Sequence, residues 1–196
     1  MAQIQVKSER LVNARPENVY AILSDYKSKR PQLLTPNFLN YTLEKGGQGQ
    51  GTIVRYRLHA ANRERDYRLN IDEPVKGKII TERDTNSSLV NTWTISPSSD
   101  GTRTRVSVIS EWEGGSGVKG FFERTFAPLG LKSIYGKILG MVSLLASGET
   151  PAATTSNVFA GEDEKHRESQ LAVFLLVSAG IVGLAFLLNY LQKKRS

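Results

Sequence analysis

Between residues 37 and 112 the chain is a succession of short runs in which apolar and polar residues alternate: NFLNYTLEK, TIVRYRLHA, RDYRLNID, KIITERD, LVNTWTIS and TRTRVSVISEW. A period of two puts every second side chain on one face, so such runs form strands with one buried side. Gly, Pro, Asn or Asp bounds each run, and the connections are too short for parallel crossovers, which leaves antiparallel pairing. GGQGQG precedes a strand rather than a helix and therefore reads as a hairpin turn, not a phosphate-binding loop; EPVKG and PSSDG are two further turns.

The segments on either side decide what covers the apolar face. QIQVKSERL predicts one more strand. ARPENVYAILSDY predicts a short helix with Pro16 early and Val19, Tyr20, Ile22 and Leu23 on one side, and residues 31–34 a second short helix ending before Pro36. From Val118 to Leu145 the period changes, and Phe121, Phe122, Phe126, Leu129, Ile134, Ile138, Met141, Val142 and Leu145 recur at helical spacing, with Pro128 interrupting the helix early. The order is α+β, a sheet followed by one long helix to cover it. The helix partners are the in-phase sets Val54, Tyr56 and Leu58; Tyr67, Leu69 and Ile71; Trp93 and Ile95; and Val106, Val108 and Trp112, while most arginines take the opposite face.

Residue types exclude several chemistries. The 196 residues include no cysteine and two histidines, His59 and His166, so no disulfide framework, thiolate metal site or redox centre is expected. No metal and no cofactor is assigned. His59 is out of step with Tyr56 and Leu58, Glu111 and Glu113 flank the inward Trp112, and Asp72 and Glu73 sit beside Pro74 at a turn. No Ser-His-acid set emerges, so no catalytic residue is assigned and the chain reads as non-enzymatic.

The net charge of +7 falls wholly within residues 1–148. It concentrates at Arg55 and Arg57; Arg63, Arg65 and Arg68; Lys76 and Lys78; and Arg103 and Arg105. A solvated outer sheet face accounts for this pattern. Anionic lipid headgroups, worth about 1 kcal/mol per cation near such a surface, are a second account, with Arg55, Arg57, Arg65 and Arg68 as the contacts. A basic interaction module for RNA or a ribosome is a third, although no motif makes nucleic acid an expected partner.

LAVFLLVSAGIVGLAFLL, residues 171–188, carries no charged side chain and spans about 27 Å as a helix, close to the roughly 30 Å of a bilayer's hydrocarbon. Twelve of these residues are Leu, Ile, Val or Phe, which favours insertion by about 4 to 7 kcal/mol. Residues 170–190 are therefore expected to form a transmembrane helix that holds the chain in a lipid bilayer, with Tyr190, Lys193, Lys194 and Arg195 at the interface and residues 191–196 as a short basic tail. Ala179 and Gly183 form one small-xxx-small pair, a spacing that also arises by chance. Residues 149–169, small and polar without apolar period, read as a flexible linker with a reach of about 25 Å. MAQIQVKSERLV lacks the apolar core of a signal peptide. The expectation is a single-pass, tail-anchored protein whose main domain, residues 1–148, is cytoplasmic, with a bacterial inner membrane as the default.

Five motifs in order, ARPENVYAILSDY, GQGTIVRYRL, IDEPVKGKII, NTWTISPSSDGTRTRVSV and VKGFFERTFAPLGLKSIYGKIL, resemble the SRPBCC superfamily. These START-like helix-grip domains include polyketide cyclases and coenzyme Q-binding proteins, and the resemblance covers residues 3 to about 146. It implies a curved antiparallel sheet wrapped around the long C-terminal helix, with a hydrophobic cavity between them. The implied partner is a hydrophobic small molecule such as a lipid, an isoprenoid quinone or a polyketide-like metabolite; a cyclase- or hydrolase-like enzyme is the alternative. Carried onto this chain, the resemblance assigns ligand contact to Tyr56, Tyr67, Leu69, Trp93, Val108, Phe122 and Phe126, and places the cavity mouth near residues 26–38. Plain core packing accounts equally well for any one of the seven.

Overall fold

The computed structural model describes residues 3–60, 63–115 and 127–148. Seven strands form one antiparallel sheet: β1 (Gln3–Val12), β2 (Phe38–Lys45), β3 (Ile53–Ala60), β4 (Arg63–Val75), β5 (Ile79–Asp84), β6 (Val90–Pro97) and β7 (Thr104–Glu113). Their order across the sheet is β1-β7-β6-β5-β4-β3-β2. Every neighbour from β2 to β7 follows in sequence, and only β1 crosses over, pairing with the last strand in a register that sets Gln3 against Glu113. Between β1 and β2 lie helix α1 (Pro16–Leu23) and a 3-10 turn (Arg30–Leu33), and after β7 comes helix α2 (Ala127–Ser147).

Most of the in-phase residues read from the sequence bury, with Leu58 and Tyr67 half-buried against the core and Trp112, expected to face inward, only half-buried. Val54, Tyr56, Leu69, Ile71, Trp93, Ile95, Val106 and Val108 share one core with Val19, Ile22 and Leu23 of α1 and with Ile134, Tyr135, Ile138, Leu139 and Val142 of α2. The sheet with a C-terminal helix is the helix-grip fold. At the described start of α2, Pro128 stands in the first turn, where its missing N–H costs no helical hydrogen bond. The predicted helical residues 118–126, among them Phe122 and Phe126, lie outside the described residues, as do the linker, the predicted span and the tail. Helix α2 itself is long and apolar enough to cross a membrane, but its buried side is committed to this core.

One boundary differs from the reading of EPVKG as a turn. Strand β4 runs on to Val75, and its register against β5 shifts between Asp72 and Val75. Pro74, which has no N–H to donate, sits inside that bulge, a place where a strand tolerates it.

GGQGQG is the β2–β3 turn and also a clamp. Gly46 and Gly49 have φ of +71° and +51°, a region that side chains with a Cβ rarely enter. In this shape the loop donates the Gly49 N–H to the Ser24 carbonyl at 2.8 Å, and the Gly47 carbonyl accepts the Tyr26 N–H at 2.9 Å. The end of α1 is thereby fixed to the sheet. Beyond it, Asp25 Oδ1 accepts the N–H groups of Lys27 and Ser28, and the Asp25 carbonyl accepts the Arg30 N–H at 2.7 Å, which starts the 3-10 turn.

Candidate ligand-binding site

Of the seven predicted contacts, five belong to described residues. Tyr56, Leu69, Trp93 and Val108 are all buried and Tyr67 is half-buried against the same core. Tyr56 links an aromatic row, with ring centroids 5.0 Å from Phe38 and 5.6 Å from Tyr67, while Trp93 meets Tyr135 of α2 edge to face at 5.9 Å. The sheet and helix therefore converge on the predicted residues. A surface groove of about 630 Å³, lined by Arg15, Glu17, Tyr20, Lys76, Lys78 and Asp100 among others, lies where α1 meets two strand turns, and none of the five described contacts lines it.

The same interior holds a polar cluster that the sequence reading did not assign. Arg30 and Glu82, 5% and 4% exposed, form a buried ion pair through Nη2 and Oε1. Tyr26 donates its hydroxyl to the same Oε1 at 2.8 Å, and Asn91 donates Nδ2 to Oε2 at 3.1 Å. With its NH2 group turned to the carboxylate, Asn91 presents Oδ1 to Ser110 at 2.7 Å and to Tyr135 at 3.1 Å. Ser110 Oγ and the Tyr135 hydroxyl are themselves 2.6 Å apart, so three contacts share two protons. Five elements of the fold are tied together by this chain of bonds: the 3-10 turn, β5, β6, β7 and α2.

Burial works against the Arg30 charge, and the adjacent Glu82 carboxylate with Tyr26 and Tyr41 outweighs it, holding the guanidinium above its ordinary pKa. Burial, and then the Glu82 charge, push the Tyr26 and Tyr56 hydroxyls well up. Burial also raises Tyr135, against the opposing hydrogen bond from Ser110. All three phenols are thus neutral over the ordinary pH range.

Two donors of the cluster are left over. Arg30 Nη1 and Trp93 Nε1 are buried without an acceptor, and the only other such side-chain atom among the described residues is Ser8 Oγ. The Arg30 guanidinium lies over the Trp93 ring, 4.2 Å from its centroid, and 5.3 Å from that of Tyr26. Stacking of this kind contributes about 2 kcal/mol when desolvated. A buried donor without an acceptor costs about 1–3 kcal/mol.

Part of this cluster was marked in the sequence by phase. Glu82 is in step with the buried Ile80, Asn91 with Trp93, and Ser110 with Val108 and Trp112. Polar residues on the inward beat of a strand are the signal, and three of them on neighbouring strands mark a polar interior.

The basic outer face is largely self-compensated: Arg57 bonds Asp66 at 2.8 Å and reaches Glu64 at 3.5 Å, Arg68 bonds Glu44 at 2.8 Å, and Arg55 reaches the same carboxylate at 3.9 Å. Arg65, expected on that face, instead pairs with Leu58, shares the phase of Tyr67 and lies over its ring. His59 is exposed, in keeping with its phase.

Comparison with known proteins agrees with this architecture. No curated protein sequence matches the chain. The solution structure of KanY protein is 39% identical and superposes with a TM-score of 0.66 over 75% of this chain and 99% of its own. The Zhui aromatase/cyclase from Streptomyces sp. R1128 superposes with a TM-score of 0.63 at 17% identity, over 78% and 98% of the two chains. A START superfamily protein from Mycobacterium smegmatis gives 0.57 at 17% identity, over 72% and 98%. At such identities these last two share the fold. Residues 3–143 match the family model described as polyketide cyclase/dehydrase and lipid transport, and with nearly three quarters of its length so matched, the chain belongs to that family.

Proposed function

We propose that this protein binds a hydrophobic small molecule, a lipid, an isoprenoid quinone or a polyketide-like metabolite, between the sheet and α2, and takes it from or delivers it to an adjacent bilayer. The observation that carries the reading is the convergence of Tyr56, Leu69, Trp93 and Val108 with Tyr135 under the C-terminal helix, in a chain of a cyclase and lipid-transport family. Tyr67 joins them from the half-buried rim, and Phe122 and Phe126 complete the proposed contact set. Residues 170–190 are the proposed membrane anchor and residues 149–169 the tether that keeps the domain 1–148 within about 25 Å of the lipid. With most outer arginines already paired to carboxylates, the anchor rather than the basic face supplies most of the membrane attachment.

The buried cluster favours a second reading, a cyclase- or hydrolase-type enzyme, because it puts a carboxylate and three hydroxyls in the interior. These groups are bonded to one another, however, and a carboxylate already accepting three hydrogen bonds is a poor base. Binding without catalysis therefore accounts for more of the geometry. The deciding experiment is native mass spectrometry of the full chain in mild detergent, followed by organic extraction. A co-purifying apolar compound, or uptake of lipid or quinone from vesicles, is expected. Absence of both refutes the binding reading.

A further inference from the structure

We propose that Arg30 Nη1 and Trp93 Nε1 together hold a neutral carbonyl oxygen of the bound molecule, as in a ketone, ester or quinone. This rests on the reading that an apolar molecule enters between sheet and helix, and it specifies the polar group that molecule must carry.

The inference follows from counting donors and acceptors in the buried cluster. Glu82 accepts from Arg30 Nη2 and Tyr26 on Oε1 and from Asn91 on Oε2. Asn91 Oδ1, Ser110 and Tyr135 close a triangle among themselves. What remains is two N–H donors without a partner, while every acceptor of the cluster already takes part in a hydrogen bond. Because the guanidinium lies on the indole face, both donors belong to one spot of the interior, and both residues are at least nine-tenths buried.

Three ligand groups can be weighed against that remainder. A carboxylate would accept both donors, but Arg30 is already neutralised by Glu82, so a second anion would leave a buried charge uncompensated. A hydroxyl would accept while bringing a proton of its own into a place where every acceptor already holds a hydrogen bond. A carbonyl oxygen has two lone pairs, no proton and no charge, and it matches the remainder.

The test uses the full chain in mild non-ionic detergent and three probes on one ring skeleton: 2-methyl-1,4-naphthoquinone, 2-methylnaphthalene and 2-naphthoate. Calorimetric titration is expected to show the quinone binding about tenfold or more tighter than the hydrocarbon, with the naphthoate weaker than the quinone. Trp93→Phe, which keeps a ring and deletes the N–H, is expected to reduce the quinone preference to about threefold or less. In wild-type protein the Trp93 indole N–H resonance is expected to move downfield with the quinone and not with the hydrocarbon, a readout that needs no folded variant. Equal affinity for quinone and hydrocarbon with an unmoved indole signal overturns the carbonyl site while the apolar-ligand reading stands. Naphthoate binding tighter than the quinone also overturns it. Failure of all three probes to bind overturns the apolar-ligand reading, and this inference with it.

Discussion

Arg30 is the residue on which the interior turns, and it is the one least visible in the sequence. It sits in DYKSKRPQLL, among Lys27 and Lys29, where a cation reads as one more solvated charge. Only tertiary contact separates it from those neighbours, because the Asp25 turn and the anchoring of Leu33 swing its side chain under the sheet toward Glu82. The pair has a testable asymmetry. Glu82→Gln leaves a buried guanidinium without its counter-charge and is expected to destabilise the protein by about 3–5 kcal/mol, read as a lower urea midpoint. Replacing both partners, Arg30→Met with Glu82→Met, is expected to recover most of that loss, since it removes the charge together with the need to compensate it. A double variant as unstable as Glu82→Gln would show that the pair acts through packing alone.

Among the elements, those set by local periodicity were legible and those set by neighbours were not. All seven strands follow from alternation, and α1 from Pro16 and its apolar side, because a period of two or 3.6 is dictated by the backbone itself. The bulge at Pro74 and the second role of GGQGQG were not, since each depends on what lies across the sheet. The burial of Tyr56, Leu69, Trp93 and Val108 was legible for the same reason, since they are in phase on their strands. At the turn the structure makes a graded prediction. Gly49 and Gly51 both have positive φ, so alanine at either adds backbone strain of about 1 kcal/mol. A Cβ at Gly51 meets nothing within 4 Å, whereas at Gly49 it falls 2.6 Å from the Glu73 carboxylate, which accepts the Tyr20 hydroxyl. Gly49→Ala is therefore expected to be the more destabilising by about 1 kcal/mol, through loss of that bond. Equal urea midpoints for the two variants would exclude a structural role for the Tyr20–Glu73 contact.

For the whole molecule, buried phenols link the fold to pH. Burial raises Tyr26, Tyr56 and Tyr135 in the folded state above their ordinary value of 10.0. The folded chain then binds more protons than the unfolded one in alkali, so this stability is complete below about pH 10 and falls as the pH rises beyond it. Tyrosinate absorbance from these three residues is expected to appear together with loss of tertiary circular dichroism. Their ionisation within an intact fold would contradict the buried cluster. Attachment to the bilayer is a separate matter at this scale. Paired Ile181→Lys and Leu184→Lys substitutions each reverse a favourable insertion contribution to about +3 kcal/mol, and they are expected to move the full chain from the membrane pellet to the soluble fraction. Retention in the pellet would remove residues 170–190 as the anchor.

The pairing of β1 with β7 also governs when this protein can fold. Gln3 waits for Glu113, roughly a hundred residues later, and at synthesis rates of about 5–20 residues per second the delay is about 5–20 s. Through that interval Ile4, Val6 and Val12, all destined for burial, travel uncovered on the nascent chain, which makes β1 a segment for a ribosome-associated chaperone to shield.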